Sequence, residues 1–535
     1  MAIETPNVPP AAAHTLIKGG LVLIPSKSAA AAAGNDTVSS PAAAAPLYVV
    51  ERLDVLIKGN TIVEMQEHIA APADAVVIDA DRKIIIPGMV DTHRHLWQTP
   101  FRSMPADMTL IEFLSDINIV LAAHMTPDEI YVAQMCGALE AINTGVTTVV
   151  DHFHINNSPA HARSGIRASI DSGLRVCFCV GTNPCLDPAR CQGPEFKTGR
   201  IAFKDLAWQY DDIINLATDP TLFESKTHGD SDKPRVTLGV SLDRWRMEPP
   251  AATAAFVQRC RESDIKPITI HVSDGAFGPT DEPVVKLDAR SAAGEKTSAD
   301  NTSGLLGTDF LLSHANFLTD KELTLCEQRG VSLSATPECE AYLNMGEPIT
   351  RRGNAAGVCV GLGVDTAALS EANYFTVMRM ALAAVRLYEN QKYIDAGKFP
   401  IKTPILCESI FRDATIQGAK AAQLAHLVGD LQPGKRADLV LLDLDSPNMA
   451  GTAKLHPAAA VVTHASLADV HTVLIDGRVV KRDGKLVGVD MKAWARRLEQ
   501  TAEDVLERAK AVDVDLVREK MSRVLGLTDR YCESV

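Results

Sequence analysis

Short apolar runs alternate with longer amphipathic stretches through the middle of the chain. Eight of these runs have the β-branched, turn-bounded pattern of buried strands in a parallel sheet. They are residues 89–95, 147–150, 175–180, 236–240, 267–270, 309–312, 331–334 and 358–362. Stretches with helical periodicity lie between them, for example at 126–144, 250–263 and 320–329. Eight strand–helix units predict an α/β fold, a (β/α)8 TIM-type barrel with enlarged loops.

The two ends of the chain share a second pattern, in which short strands are joined by tight turns. Lys58-Gly59-Asn60 and Asp476-Gly477 each join two such strands as a hairpin. We therefore predict a small β-sandwich domain assembled from both chain ends, followed by a charged, amphipathic helical tail. The predicted bounds are 1–88 and 427–490 for the β-sandwich domain, 89–426 for the barrel and 491–535 for the tail. Residues 26–46, rich in Ala, Ser and Pro, are interpreted as a low-complexity insertion.

The amino-acid composition limits the binding partners and the cellular compartment that we expect for this protein. The chain has 535 residues, of which 46% are hydrophobic and 22% charged, and this is typical of a soluble globular protein with more than one domain. The formal net charge of −14 argues against a nucleic acid or an anionic membrane as partner, because both attract basic surfaces. The 11 cysteines show no regular framework, which favours reduced thiols and a cytoplasmic protein. No apolar run approaches the roughly 20 residues of a membrane span.

A pair of histidines follows the first turn into the barrel. Pro87 and Gly88 end the apolar run 83–86, and a new strand begins directly after them. Side chains at i and i+2 of a strand project from the same face, so His93 and His95 point together. Two such imidazoles form one half of a metal site, whereas a single histidine in an apolar strand is usually a hydrogen-bonded core residue.

Three more residues of metal-binding type stand at the ends of other predicted strands. His271 ends the fifth strand, His314 ends the sixth, and Asp365 follows the eighth. The carboxyl ends of all strands meet at one mouth of a barrel, where barrel enzymes carry out their chemistry. Four imidazoles and one carboxylate at that mouth predict a metal site.

Several segments together carry a family resemblance. They are 87–95 (PGMVDTHRH), the histidine that ends strand five, 311–323 (LLSHANFLTDKEL), 361–365 (GLGVD) and 433–439 (PGKRADL). On these motifs the chain resembles, over nearly its whole length, the amidohydrolase superfamily, specifically the branch with triazine hydrolases and cytosine deaminases. The resemblance implies a homodimer or larger homo-oligomer and one divalent metal ion per chain, with Zn²⁺ expected and Fe²⁺ compatible with the same ligands.

The resemblance also implies a role for each residue at the mouth. The metal ligands would be His93, His95, His271 and Asp365. Asp365 would in addition carry a proton from water to the leaving group, and His314 would contact the activated water. Other branches place a bridging lysine after strand four, but residues 241–245 contain none, so we expect a mononuclear site.

Two positions depart from the family pattern. Deaminases of this branch carry a glutamate three residues after the strand-five histidine, whereas this chain has Asp274, which is one methylene shorter. After strand seven, Glu338 and Glu340 stand where the family often has a Pro-x-x-Asn segment. Any of the three acids would replace the usual glutamate as a catalytic proton shuttle, and a solvated loop acid is the alternative interpretation of each.

Candidate substrate-binding residues follow the two metal-binding histidines, and the second strand, along the chain. They are Trp97, Gln98, Arg102 and His154. Aromatic and amide groups at this place suit a small-molecule substrate with a planar polar ring. His152 shares a strand face with His154, but this pair lacks the Pro-Gly lead-in and is not interpreted as the metal pair.

These observations predict a metal-dependent hydrolase of C–N bonds that deaminates a planar nitrogen heterocycle by means of metal-activated water. The first alternative is hydrolysis of a cyclic amide, or of another metabolite that is not a nucleobase, by the same chemistry. A remote alternative is a non-catalytic scaffold, because a fold by itself does not specify an activity.

Overall fold

The computed structural model describes residues 5–26, 47–191, 197, 201–219, 234–273, 282–290, 304–403 and 405–524. Structural statements below refer to these residues. The predicted insertion at 26–46 lies outside them except for Ser26, and the last part of the predicted tail, 525–535, also lies outside them.

Five strands precede the barrel. They are β1 (His14–Pro25), β2 (Tyr48–Lys58), β3 (Thr61–Gln66), β4 (Ala75–Asp79) and β5 (Lys83–Pro87). β2 and β3 pair antiparallel across the predicted turn, where Gly59 has a φ of 58°. Positive φ is easily adopted by glycine, which has no Cβ, so the hairpin forms where the sequence predicts it.

Eight parallel strands form a closed barrel. They are β6 (Met89–His95), β7 (Val146–Phe153), β8 (Arg175–Gly181), β9 (Val236–Ser241), β10 (Ile268–Val272), β11 (Phe310–His314), β12 (Ser332–Ala335) and β13 (Cys359–Leu362). Neighbours in the chain are neighbours in the sheet, and the pairing of Leu362 with Asp91 closes the ring. The two-residue strand β14 (Asp365–Thr366) pairs with the end of β6. The predicted (β/α)8 barrel is confirmed.

Helices connect the barrel strands and surround them. The α-helices are Leu110–Phe113, Pro127–Asn143, Pro159–Ser172, Gln209–Ala217, Pro250–Glu262, Pro283–Asp288, Asp320–Arg329, Pro337–Tyr342, Thr350–Ala355, Tyr374–Asp395, Cys407–Arg412, Gly418–Ala421, Thr452–Leu455, Pro457–Ala459, Met491–Ala509 and Val514–Val524. Several begin with a threonine cap whose side chain and a glutamate three residues later satisfy each other's backbone N–H groups, as at Thr126 and Thr319. Such capping boxes supply partners for N–H groups that a helix leaves unpaired at its start.

The remaining strands come from the C-terminal part of the chain. They are β15 (Leu439–Asp443), β16 (Val470–Ile475), β17 (Arg478–Arg482) and β18 (Lys485–Leu486). They extend one mainly antiparallel sheet in the order β18-β17-β16-β15-β5-β1-β2-β3, with β4 paired to β1. Apolar side chains from both chain ends, such as Ile17, Ile57 and Leu439, are fully buried in one core beside this sheet. The predicted β-domain built from both ends is thus confirmed as a separate sheet, while its exact bounds remain a prediction.

The helices of the C-terminal tail pack against the first barrel helices. Trp494 is buried against Tyr131, with ring centroids 6.3 Å apart. Arg518 forms an ion pair with Asp116, and Arg508 with Glu129. None of the described helices is long and apolar enough to cross a membrane.

A buried ion pair links the barrel to the second sheet. Arg175, at the start of β8, donates to both carboxylate oxygens of Asp438 at 2.7 and 2.9 Å, and the two side chains are only 2% and 1% exposed. Arg175→Ala is expected to lower the free energy of unfolding by about 3 to 5 kcal/mol, because it leaves a buried carboxylate without its cationic partner. Urea unfolding checks this. Arg259→Ala is the control, since its pair with Asp211 is 43% and 74% exposed and is expected to contribute less than about 1 kcal/mol. Equal losses in the two variants would contradict the prediction.

Candidate metal centre and active site

The two histidines predicted to bind metal, His93 and His95, lie at the end of β6 and face a carboxylate. The rings of His93 and His95 are both buried, with centroids 4.9 Å apart. Their Nε2 atoms lie 3.4 and 3.1 Å from Oδ1 of Asp365. Asp365 has a φ of 69°, in the left-handed region that a non-glycine residue seldom adopts, and this conformation occurs where β14 pairs with β6. Strained backbone of this kind is often found at functional sites.

Two further histidines complete the group at the same mouth. His271, in β10, places its Nε2 3.3 Å from Nε2 of His95. His314, the last residue of β11, places its Nε2 3.9 Å from Oδ2 of Asp365, and its ring stacks on that of His271. His314 also has a left-handed backbone, with a φ of 70°. The structure therefore brings all five side chains together, as the strand ends predicted.

The outer nitrogens of the three candidate ligand histidines each have a partner. Nδ1 of His95 lies 2.6 Å from the carbonyl oxygen of His152, and Nδ1 of His271 lies 2.9 Å from Oδ2 of Asp243. Nδ1 of His93 lies 2.7 Å from the hydroxyl of Ser313. A carbonyl and a carboxylate only accept hydrogen bonds, so His95 and His271 carry their proton on Nδ1. Their Nε2 lone pairs consequently point at each other and at the Asp365 carboxylate.

This donor set fits a bound cation. Two nitrogen lone pairs 3.3 Å apart, with a carboxylate oxygen 3.1 Å from one of them, repel each other unless a positive charge lies between them. In addition, Nε2 of His93 is buried without a hydrogen-bond partner among the described residues. Ligands about 2.1 Å from one tetrahedral ion lie about 3.4 Å from each other, close to the spacings found here. Three imidazole nitrogens and one carboxylate oxygen are also the ligand types that divalent transition metals accept.

The electrostatics of the site favour the same conclusion. Burial lowers the pKa of His93 well below its usual value, so this ring is neutral. Burial alone would raise the pKa of Asp365, but the histidine rings beside it hold that pKa well below the usual range. For His271, burial disfavours a positive charge, yet Asp243 outweighs burial and raises the pKa of the ring. Asp243 thus increases the attraction of this ring for a cation.

Two residues that contact the candidate metal group are absent from the sequence-based list. Asp243, just beyond β9, accepts hydrogen bonds from His271 and from His152. Cys339 donates from its thiol to Oδ2 of Asp365 over 2.7 Å. The signal in the sequence is weak, because each residue lies only within a few positions of a strand end, as many other residues do. Which side chain each of these two residues binds by a hydrogen bond depends on side-chain orientation across neighbouring strands.

The three candidate proton shuttles differ in their surroundings. Glu340 is fully buried; its Oε1 accepts from the backbone N–H of Thr336 at 2.9 Å and lies 3.4 Å from Nδ1 of His314. Glu338 is hydrogen-bonded to Ser370, and burial raises its pKa. Asp274 lies outside the described residues. The role of each acid stays a prediction.

Trp97 and His154, two of the four predicted substrate contacts, lie beside the metal group. Trp97 donates from its indole N–H to Nδ1 of His154 over 3.0 Å, and the His154 ring stacks on His95 with centroids 4.3 Å apart. Gln98 donates to Asn118 over 2.7 Å, which leaves its buried Oε1 without a partner among the described residues. Arg102 pairs with Glu140 at 2.7 Å. These contacts with the substrate also stay predictions.

Two solved structures share this fold. One is an adenosine deaminase from Xanthomonas campestris with bound zinc, which aligns with a TM-score of 0.69 and 19% identity over 93% of this chain and 100% of that chain. The other is atrazine chlorohydrolase from Arthrobacter aurescens TC1 complexed with zinc, which aligns with a TM-score of 0.69 and 18% identity over 91% of this chain and 100% of that chain.

Sequence comparison gives the family. A 5-methylthioadenosine/S-adenosylhomocysteine deaminase of Thermococcus onnurineus is 29% identical over 441 residues, which are 80% of this chain and 90% of that protein. The model of the amidohydrolase family matches residues 84–480. The match includes the whole barrel and, of the second sheet, β15, β16 and parts of β5 and β17; with the relatives it confirms the predicted enzyme class, a hydrolase of C–N bonds. The chain belongs to the amidohydrolase family.

Proposed function

We propose that this enzyme is a mononuclear, metal-dependent deaminase that removes the amino group of an adenine-type heterocycle by hydrolysis. His93, His95, His271 and Asp365 hold the metal ion, and zinc is the ion we propose. The names of the relative in Thermococcus onnurineus and of the Xanthomonas campestris structure support the substrate class.

One observation carries the proposal. The inward nitrogens of His95 and His271 face each other at 3.3 Å, and the carboxylate of Asp365 lies 3.1 Å from one of them. Because the outer nitrogens of both rings donate to acceptors, the inward nitrogens of the neutral rings both carry lone pairs. A cation is the simplest species that stabilises such a group.

The reaction is a substitution of nitrogen by oxygen. A divalent ion held by these residues would lower the pKa of water to about 7 and so supply a nucleophile at neutral pH. The water oxygen bonds to the ring carbon that carries the amino group, the C–N bond to that group breaks, and the products are the oxo heterocycle and ammonia. Of the two water protons, one ends on the departing nitrogen and the other on the neighbouring ring nitrogen.

Two residues are placed to assist this exchange. Oδ1 of Asp365 faces the histidine pair, so Oδ2 is the oxygen that accepts a proton from the attacking water and passes it to the leaving group. Oδ2 lies 3.9 Å from Nε2 of His314 and also accepts from the thiol of Cys339. Nδ1 of His314 is held by the hydroxyl of Thr336 at 3.0 Å. Its other nitrogen then orients the water and stabilises the charge that develops on oxygen. Asp274 or Glu338 delivers the proton to the ring nitrogen in this proposal.

The pocket wall offers complementary hydrogen-bonding groups to a planar ring. Because Nδ1 of His154 accepts from Trp97, its proton lies on Nε2, which is buried and without a partner among the described residues. Gln98 offers an acceptor through its buried Oε1. A heterocycle with a donor and an acceptor on one edge satisfies both groups.

Ammonia release tests the proposed function. The enzyme is stripped with a chelator, reloaded with Zn²⁺ or Fe²⁺, and assayed with 5-methylthioadenosine, S-adenosylhomocysteine, adenosine, cytosine and a set of lactams. We expect stoichiometric release of ammonia from at least one amino heterocycle by the zinc form and no release by the stripped form. Opening of a lactam without ammonia would favour the cyclic-amide alternative. Zinc binding without turnover of any compound would favour a scaffold.

We further propose that the enzyme is a cytoplasmic homodimer or larger homo-oligomer. The ten cysteines within the described residues are all buried and unpaired, as expected in a reducing compartment. Light scattering coupled to gel filtration tests the oligomeric state, and a mass equal to the 57.5 kDa of one chain would contradict it.

A further inference from the structure

One carboxylate beside the candidate metal centre collects several hydrogen bonds. Oδ2 of Asp243 accepts from Nδ1 of His271 at 2.9 Å, from Nε2 of His152 at 2.8 Å and from the amide of Asn183 at 3.1 Å. Its Oδ1 accepts from the backbone N–H of His271 at 2.9 Å. Asp243 therefore holds both the backbone and the ring of His271.

His152 is part of this support and not a further ligand. Its ring lies 4.0 Å from that of His271 between centroids, and it could be mistaken for a metal-binding group with His93. However, its Nδ1 is hydrogen-bonded to the hydroxyl of Thr269 at 3.0 Å, while its Nε2 donates to Asp243. With both nitrogens occupied, the ring has no lone pair available for a metal ion.

We propose that Asp243 and His152 are positioning residues that fix the ring angle and the Nδ1–H tautomer of His271, and thereby set the affinity of the site for its divalent ion. This inference rests on the proposed metal site. Partners of this kind orient a ligand and increase its basicity, and their loss typically lowers metal affinity about 10- to 100-fold.

Asp243→Asn tests the tautomer directly, because the side chain keeps its shape. Both oxygens of Asp243 accept from N–H groups of His271, one from the ring and one from the backbone. In either orientation of the amide, an NH₂ group must face one of these donors. If it faces the ring, His271 has to move its proton to Nε2, where the proton occupies the position that the metal ion needs. If it faces the backbone, two N–H donors oppose each other, and the loop that carries residue 243 is displaced.

The readout is metal affinity, with activity as a second measurement. The stripped proteins are titrated with Zn²⁺ against a chelating indicator, and their Co²⁺ forms are compared by visible absorption. We expect the Kd for Zn²⁺ to rise at least tenfold in Asp243→Asn and about tenfold in His152→Phe, which keeps a ring but loses the hydrogen bonds of both ring nitrogens. The absorption bands of Co²⁺ are expected to shift in both variants.

A matched control separates this role from general stability. Asp413 is also buried and accepts from the amide of Asn354 at 2.9 Å, but no contact of the described residues joins it to the metal group. Asp413→Asn is expected to keep the wild-type Kd and Co²⁺ spectrum. Stripped Asp243→Asn is expected to melt within a few degrees of the stripped wild type. A wild-type Kd in both Asp243→Asn and His152→Phe would overturn the inference while the proposed function stands. A wild type that binds no divalent ion would overturn both.

Discussion

Asp365→Asn is expected to lower kcat by about 10²- to 10⁴-fold on whichever amino heterocycle proves to be the substrate. The side chain would keep its size and one oxygen that can face the histidines, but an amide nitrogen cannot accept a proton from the attacking water. Steady-state kinetics with zinc in excess measure the effect, so that weaker metal binding does not by itself cause the loss.

Cys339→Ser provides the comparison for this variant. A serine hydroxyl can replace the thiol that donates to Oδ2 of Asp365, so kcat is expected to stay within about tenfold of wild type. Undiminished kcat in zinc-loaded Asp365→Asn would mean that another group takes the proton, and the assigned role of Asp365 would be wrong.

His95→Ala is expected to lose both the metal ion and turnover. His95 is the residue whose Nε2 lies close to both His271 and Asp365, at 3.3 and 3.1 Å, so its removal opens the centre of the group. Metal analysis after dialysis should find less than about one tenth of the wild-type content, and ammonia release should fall below detection.

His68→Ala is the matched control for His95→Ala. His68 is exposed and lies outside the barrel strands, so its loss should change neither metal content nor activity. An active His95→Ala enzyme without bound metal would contradict the role of the metal ion in the reaction.

Much of the site follows from strand periodicity. Because side chains alternate along a strand, His93 and His95 had to share a face, and a parallel barrel brings all strand ends to one mouth. The strand-end positions of His271, His314 and Asp365 therefore predict that these side chains lie near this pair, and the structure places them there. The same argument located His154, which now stacks on His95.

The hydrogen bonds of His152 and Asp243 depend on side-chain orientation, which strand periodicity does not predict. His152 precedes His154 by two residues, yet its nitrogens are hydrogen-bonded to Thr269, within β10, and to Asp243, in the loop after β9. Asp243 resembled an ordinary loop acid because its partners are 28 and 91 residues away in the chain. Pairings of this kind arise from barrel register and rotamers, and neither can be read from hydrophobic periodicity.

An anomalous difference map, recorded at the zinc absorption edge from crystals of the zinc-loaded enzyme, tests directly whether the proposed ligands bind a metal ion. We expect one peak per chain, about 2.1 Å from Nε2 of His93, His95 and His271 and close to Oδ1 of Asp365. A map without a peak among these four side chains, or with its peak on His152 and Asp243 instead, would contradict the proposed metal site.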